Sequence, residues 1–386
     1  MIQTAEANRI KGMGTSIFGT MSLLAVQHKA VNLGQGFPDF NGPDWIISAA
    51  HKAMMEGKNQ YAPSNGILSL RQEISLIEKE YYGIEWNPET EITITAGATE
   101  ALFSAIMALI DKDDEVILFE PFYDSYPSDV QLAGGICKYV TLQKPDFTFD
   151  FDELENQITD RTKMIVINSP HNPTGKVFTF EELSFIAKIA VKHNLIVLSD
   201  EAYEFMTFDG KKHIPIATVP GMKDRSITVS STGKTFGMTG WKVGYIKAAE
   251  NLTNAVRKVH QWVTFTINTP AQHAICHGFE NFKNYLPEFR ALYQSKKDLI
   301  VKELQSTGFR YFDSYGSYFI MVEIPTIKKL NDLDCSMDLV QNFGLATIPT
   351  SVFYGKSNEG STMLRLCFAK QDETIINGIA KLRNYV

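Results

Sequence analysis

Short β-rich runs alternating with helix-like stretches predict an α/β protein: a mainly parallel seven-stranded sheet between helices in a large domain, plus a smaller α+β domain. Three observations carry this reading. The runs Ile92–Thr95, Val116–Phe119, Ile136–Val140, Met164–Asn168, Ile196–Ser199, Ile227–Ser230 and Val243–Ile246 are short and apolar on both faces, the pattern of strands covered from both sides. Helix-like stretches such as Glu100–Ile110 and Glu181–His193 lie between several of them, as crossover helices of a parallel sheet do. The length of 386 residues exceeds what one hydrophobic core usually serves.

Taken in order, residues 1–30 mix polar and apolar positions without a regular period and are expected to form an arm lying on another surface. Val31–Leu33 is expected to be a strand that pairs with a distant C-terminal sheet. Residues 46–280 form the predicted large domain, and 31–45 with 281–386 the small one. Within the latter, Phe279–Leu304 carries apolar residues at helical spacing, including Leu292, Leu299 and Leu304. A strand at Tyr318–Val322, a helix near Asp334–Phe343 and a strand at Met363–Phe368 follow.

Composition excludes several classes. Hydrophobic residues at 44% and charged residues at 21% are globular values rather than those of a disordered or fibrous chain. The 37 Lys+Arg against 44 Asp+Glu give a net charge of -7, which argues against nucleic-acid binding. No apolar run approaches the roughly 18–20 residues that span a bilayer, and Met1–Glu6 shows no basic region leading into an apolar core. The four cysteines, Cys137, Cys276, Cys335 and Cys367, are scattered and form no C-x-x-C pair. A reducing compartment, hence a cytoplasmic protein, is expected.

Ligands of open α/β sheets bind beyond the carboxyl ends of the strands, so the residues that follow each run are the candidates. Ala96-Gly97-Ala98-Thr99-Glu100 opens a helix with small residues, either a phosphate cradle of backbone N–H groups or an ordinary strand–helix turn. A dinucleotide fingerprint is absent: Gly34-Gln35-Gly36 starts like G-x-G-x-x-G, but Asp39 stands at the last position. Glu120-Pro121-Phe122-Tyr123-Asp124-Ser125-Tyr126 offers aromatic rings for a planar ligand or for the core. In Ser169-Pro170-His171-Asn172-Pro173-Thr174-Gly175, two prolines bracket Asn172, which gives a fixed amide or simply a rigid turn. Asp200 ends a buried strand and needs a cationic or strong-donor partner, and Tyr203 follows three residues on. Lys234 follows Ser231-Thr232-Gly233 and is either a nucleophilic amine or a surface lysine.

These features share one location, and together they suit a planar aromatic aldehyde phosphate. Ala98 and Thr99 would cradle the phosphate, Tyr123 would stack, Asp200 would face the ring nitrogen, Asn172 and Tyr203 would reach the phenolate, and Lys234 would form a Schiff base. Pyridoxal 5′-phosphate (PLP) is the cofactor with that pattern. His273 and His277, four residues apart on one helical face, come without an accompanying glutamate motif, and no metal site is read there.

The chain also resembles the class I/II aminotransferases of PLP fold type I, in particular their methionine and kynurenine aminotransferase-like branch. The matching stretches run nearly end to end: Asn32-Leu33-Gly34-Gln35-Gly36-Phe37-Pro38-Asp39, Asn59-Gln60-Tyr61, Thr95-Ala96-Gly97-Ala98-Thr99-Glu100-Ala101, Asn172-Pro173-Thr174-Gly175, Ser199-Asp200-Glu201-Ala202-Tyr203, Ser231-Thr232-Gly233-Lys234-Thr235-Phe236, Thr239-Gly240-Trp241-Lys242-Val243-Gly244 and Arg365-Leu366-Cys367-Phe368. The resemblance implies that Lys234 is the Schiff-base lysine, Asp200 the pyridinium partner, Asn172 and Tyr203 the donors to the cofactor O3′, and Tyr123 the stacking ring. It implies a phosphate site of Ala98, Thr99, Ser231 and Lys242, with Tyr61 reaching in from a second subunit, and therefore a homodimer with a shared active site. Arg365 corresponds to the arginine that grips the substrate α-carboxylate, assisted by Gly36 and Asn172. Two features differ or discriminate. His171 stands where many relatives have Asn or Tyr, and Phe18 aligns with an aromatic residue of the substrate pocket.

The expected activity is a transaminase that moves the amino group of a neutral, bulky L-amino acid, methionine or an aromatic one, to a 2-oxo acid. The preference for these donors comes from the resemblance, and no second arginine is evident for a side-chain carboxylate. A PLP-dependent carbon–sulfur β-lyase is the alternative, since the same lysine serves both. A non-catalytic PLP-binding regulator is a distant third, because such regulators carry an added DNA-binding module and none is evident before Val31.

Overall fold

The computed structural model describes residues 6–385. The first five residues, which belong to the expected arm and to the Met1–Glu6 stretch, lie outside this range. Helix α1 (Ile17–Gln27) precedes strand β1 (Val31–Asn32). Strands β2 (Ile92–Thr95), β3 (Glu115–Glu120), β4 (Ile136–Thr141), β5 (Thr162–Asn168), β6 (Ile196–Asp200), β7 (Ser226–Ser231) and β8 (Gly244–Ala248) form one sheet in the order β2-β8-β7-β6-β5-β3-β4. Only β8 runs against its neighbours. Every residue of β2, β3 and β8 is buried, whereas the edge strand β4 is half-exposed along its first four residues. The mainly parallel seven-stranded sheet is therefore the one that the apolar runs predict.

The helices cover both faces. Helix α2 (Gly97–Leu109) starts three residues before the expected Glu100, because Gly97, at φ +75, turns the chain straight from β2 into the helix. Helix α3 (Phe180–Lys192) opens with a reciprocal cap. Thr179 Oγ1 accepts from Glu182 N at 3.2 Å, and Glu182 Oε2 accepts from Thr179 N at 2.8 Å, satisfying two otherwise orphaned donors. The apolar period over Phe279–Leu304 belongs to two helices rather than one. Thr269–Glu280 ends where α4 (Phe282–Leu304) begins, with Asn281 as the junction.

A second sheet is built from β9 (Arg310–Tyr311), β10 (Phe319–Glu323), β12 (Ile348–Pro349) and β13 (Met363–Cys367), all antiparallel, while β11 (Leu345–Ala346) pairs with β1 in parallel. The expected strand Val31–Leu33 thus makes its own two-stranded ladder, and Leu33 O accepts from Cys367 N of β13 at 2.7 Å. The expected helix Asp334–Phe343 forms as Asp332–Asp338 running into a wider turn, Leu339–Phe343.

Two contacts place the site. Gly244, at the start of β8, meets the first turn of α2 so closely that a Cβ would come 2.6 Å from Gly97 C and 2.8 Å from Ala98 N. Glu120, buried at the end of β3, accepts from the backbone N–H groups of Gly355, Lys356 and Ser357 at 2.7–2.9 Å. Phe122 N donates to Phe353 O at 2.9 Å beside it, so the loop after β12 is fastened to the large sheet. Since the Cβ at position 244 would strike backbone, Gly244→Ala should lower unfolding free energy by about 1–3 kcal/mol, measured by denaturant unfolding.

Candidate active site

The carboxyl ends of β2, β5, β6 and β7 converge on a cavity of about 310 Å³. Its walls include Phe18, Gly36, Ala98, Thr99, Tyr123, Asn172, Asp200, Tyr203, Ser231, Lys234, Lys242 and Arg365. These are all the candidate residues from the sequence except Tyr61, which is 82% exposed and lies edge-on to Phe265 at 5.4 Å. The structure therefore brings residues from opposite ends of the chain to one place.

Lys234 stands on the helical turn Thr232–Thr235 directly after β7. Its Nζ donates to Tyr318 Oη at 2.6 Å and reaches Gly36 O at 3.2 Å. Burial lowers its affinity for a proton from the ordinary 10.5 to about 8. Asp200, the last residue of β6, accepts from Tyr126 Oη at 2.7 Å and from Ala202 N at 3.1 Å. Burial raises its proton affinity, which those two donors oppose. Tyr203 is buried, its phenol held protonated well above the ordinary range, chiefly by burial. Tyr123 lies edge-on to Tyr126 at 5.7 Å, its phenol pushed up to about 12, mainly by burial.

The opposite wall belongs to Arg365 of β13, which is 1% exposed. Its Nη1 donates to Asn172 Oδ1 at 2.9 Å and its Nη2 to Gly34 O at 2.9 Å, while its buried Nε has no partner. The guanidinium carbon lies 4.0 Å from the Phe319 ring centre, 4.8 Å from Phe18 and 5.5 Å from Phe353. Phe18 is tethered by Gln35 Nε2 donating to Phe18 O at 3.0 Å, and α1 is tethered by Ser16 Oγ donating to Asp124 Oδ2 at 2.7 Å. His171 does not line the cavity. It is buried, bonded to Thr174 Oγ1 at 2.7 Å, and burial pushes it down to about 3, so the ring is neutral.

Several residues of the site escape the sequence reading. Asn168 bonds Asp200 O through Nδ2 at 2.8 Å and Asn172 N through Oδ1 at 2.7 Å. Tyr126 stood in the aromatic run after β3 without a role, and Tyr318 and Phe319 read as core strand. Of the histidine pair, His277 Nδ1 is bonded to Glu280 at 3.0 Å.

The family model of the class I and II aminotransferases matches residues 28–382. The chain belongs to that family. It is 39% identical to a methionine aminotransferase of Escherichia coli (strain K12) over 97% of each chain. It is 38% identical to a kynurenine–oxoglutarate transaminase of Dictyostelium discoideum, covering 96% of this chain and 94% of that one. The solved structure of an N-succinyldiaminopimelate aminotransferase from Mycobacterium tuberculosis superposes with a TM-score of 0.95 at 37% identity, covering 99% of this chain and all of the other. The aminotransferase is PLP-dependent, as its family is, and its substrates are amino acids and 2-oxo acids.

The cavity fits that cofactor. The first N–H groups of α2 lack intrahelical acceptors, and Lys242 lies beside that turn, its Nζ 3.3 Å from Thr99 Oγ1. A Cβ at Gly97 would enter this cradle, 3.4 Å from Lys242 Nζ. Lys242 itself takes a left-handed φ of +53, uncommon for a residue with a Cβ. Because the neutral amine is the form that captures an aldehyde, capture of PLP by the cofactor-free protein should be slow on the acid side and rise as pH passes about 8. Trapping with borohydride at a series of pH values measures this.

Proposed function

We propose that this aminotransferase acts on a neutral, bulky L-amino acid, methionine or an aromatic one, using Lys234 as its Schiff-base lysine. The observation that carries the assignment is the convergence of an amine, a carboxylate and a guanidinium on one cavity, each with a separate task. Bound PLP supplies an electron sink for the carbanion at the substrate Cα. Asp200 holds its negative charge where the ring nitrogen needs a proton, and Tyr126 and Ala202 fix its orientation. Asn172 and Tyr203 present donors to the phenolate, and Tyr123 offers a ring face. Ala98, Thr99, Ser231 and Lys242 hold the phosphate. Arg365, with an unused Nε beside two engaged Nη atoms, binds the substrate carboxylate. Gly36 and Asn172 assist it. Lys234, once free, moves the proton at the substrate Cα.

The named relatives differ in donor, so the choice rests on the walls. Beyond Arg365 the cavity presents Phe18 and Phe319, and no second arginine lines it among the described residues. Arg9 is exposed and does not line the cavity, its carbonyl held by Gln131.

The domain division at 31–45 with 281–386 and 46–280 is part of the same proposal, supported by the separation of the seven-stranded sheet from the four-stranded sheet and the β1–β11 ladder. So is a homodimer in which Tyr61 completes the partner's phosphate site. It is supported by apolar side chains left facing water: Tyr61 at 82%, Trp262 at 85% and Met55 at 77% exposure. A cytoplasmic location is proposed on the four free cysteines.

Adding L-methionine to the PLP-loaded protein without a 2-oxo acid should release one equivalent of the corresponding 2-oxo acid per site, seen as loss of the cofactor's absorbance band. Lys234→Ala should abolish both the band shift and turnover. A band that stays unmoved with methionine and with aromatic donors overturns the donor assignment, and thiol and pyruvate expelled at a rival rate favour the lyase instead. In solution the mass should be twice the 43.4 kDa chain. Trp262→Glu should shift it toward one chain in sedimentation, and Tyr61→Ala should weaken PLP binding by about tenfold.

A further inference from the structure

Tyr318 is fully buried one residue before β10. Its Oη touches two partners: it accepts from Lys234 Nζ at 2.6 Å and donates to the Gly36 carbonyl. Lys234 Nζ also lies 3.2 Å from that carbonyl, so amine, phenol and carbonyl close a triangle. The direction of the bonds follows from the chemistry of the groups. A carbonyl only accepts, so the phenol proton is committed to Gly36 O and a phenol lone pair is left for an N–H of Lys234.

The ring has little freedom to turn away. Tyr203 packs edge-on at 5.1 Å, Phe319 at 4.9 Å, and Tyr293 lies nearly parallel at 6.3 Å. The titratable groups facing Lys234 are Asp200, Arg365, Lys242, Cys367 and Tyr203, and none of them hydrogen-bonds the amine. The dock for this amine is thus made of neutral oxygens. Gly36 belongs to the loop that also supplies Gly34 O to Arg365, so the dock joins the amine to the carboxylate side of the cavity.

We infer that Tyr318 is a positioning residue for transamination: its phenol, anchored on Gly36 O, is the seat of the Lys234 amine whenever that amine is not bonded to carbon. The inference rests on the reading of Lys234 as the Schiff-base lysine. A seat built from lone pairs prefers the ammonium to the neutral amine. Tyr318 therefore opposes the effect of burial and keeps Lys234 able to hold a proton for transfer.

The test uses the cofactor-free protein. The pH dependence of reductive methylation of Lys234, read by peptide mass spectrometry, gives the midpoint of its titration. In Tyr318→Phe this midpoint should fall by about one pH unit, a roughly tenfold rise in labelling below the midpoint. Tyr293→Phe, which removes a buried phenol that has no hydrogen-bond partner, should leave the midpoint in place. An unchanged or raised midpoint in folded Tyr318→Phe overturns the inference. Borohydride reduction of the PLP-loaded wild-type protein separates this from its premise. Pyridoxyl label on Lys234 upholds the premise, and label on another lysine removes it. If Tyr318→Phe does not fold, a crystal structure of the cofactor-free wild-type protein decides. Nζ within hydrogen-bond distance of Tyr318 Oη supports the seat, and Nζ turned away from it overturns the seat.

Discussion

The side-chain amide of Asn168 joins the halves of the site. Placed at the end of β5, it donates to the Asp200 carbonyl on β6 and accepts from Asn172 N in the loop ahead. Asn172 then accepts from Arg365 on β13, and Arg365 donates to Gly34 O after β1. One line of hydrogen bonds therefore runs from the middle of the large sheet to the small sheet and on to the N-terminal loop. Each bond contributes only about 1 kcal/mol net, but a buried donor left without its acceptor costs more than that. The spacing between Asp200 and the guanidinium is thus set by polar satisfaction rather than by apolar contact, and the rest of the cavity is arranged around it.

Three ionisable groups of the cavity, Lys234, Asp200 and Arg365, share an unusual condition. Burial pushes Lys234 and Arg365 down and Asp200 up, yet none of the three hydrogen-bonds an opposite charge. Lys234 rests on a phenol and a carbonyl, Asp200 on a phenol and an amide N–H, and Arg365 on an amide and a carbonyl. Ion pairs elsewhere in the interior, such as Lys247 with Glu78 at 2.6 Å, neutralise one another. In the cavity the neutral dipoles orient the ions without cancelling them, so their fields remain directed at whatever enters.

The large sheet is legible because its strands are short, mostly apolar and, apart from the edge strand β4, largely buried, and strand-end residues such as Asp200, Asn172 and Lys234 follow from it. Arg365 and Tyr61 came from resemblance alone, because no local pattern distinguishes a buried arginine in a strand from an exposed one. Asn168 carries no mark in the sequence, because it is the last residue of β5 and reads as part of the strand. Tyr318 and Phe319 look like core in any apolar strand, and only the packing of β10 against the large domain turns them toward the cavity. The break at Asn281 left no mark in the apolar period, since both helices bury the same kind of stripe.

The aromatic collar around Arg365 comes from three segments anchored with unequal firmness. Phe319 is the buried first residue of β10, paired with Cys367 of β13, and Phe353 is pinned through its own carbonyl and by the grip of Glu120 on the amides of Gly355, Lys356 and Ser357. Phe18 rides on a helix that two polar contacts tether and that buries Met21 and Ala25 against Val340, Ala346, Ile348 and Phe353. The polar partners of Arg365 and the outer wall of the cavity thus come from different segments. On the proposed reading, sequence drift in α1 can reshape what the pocket admits while Arg365 keeps its hydrogen bonds to Asn172 and Gly34.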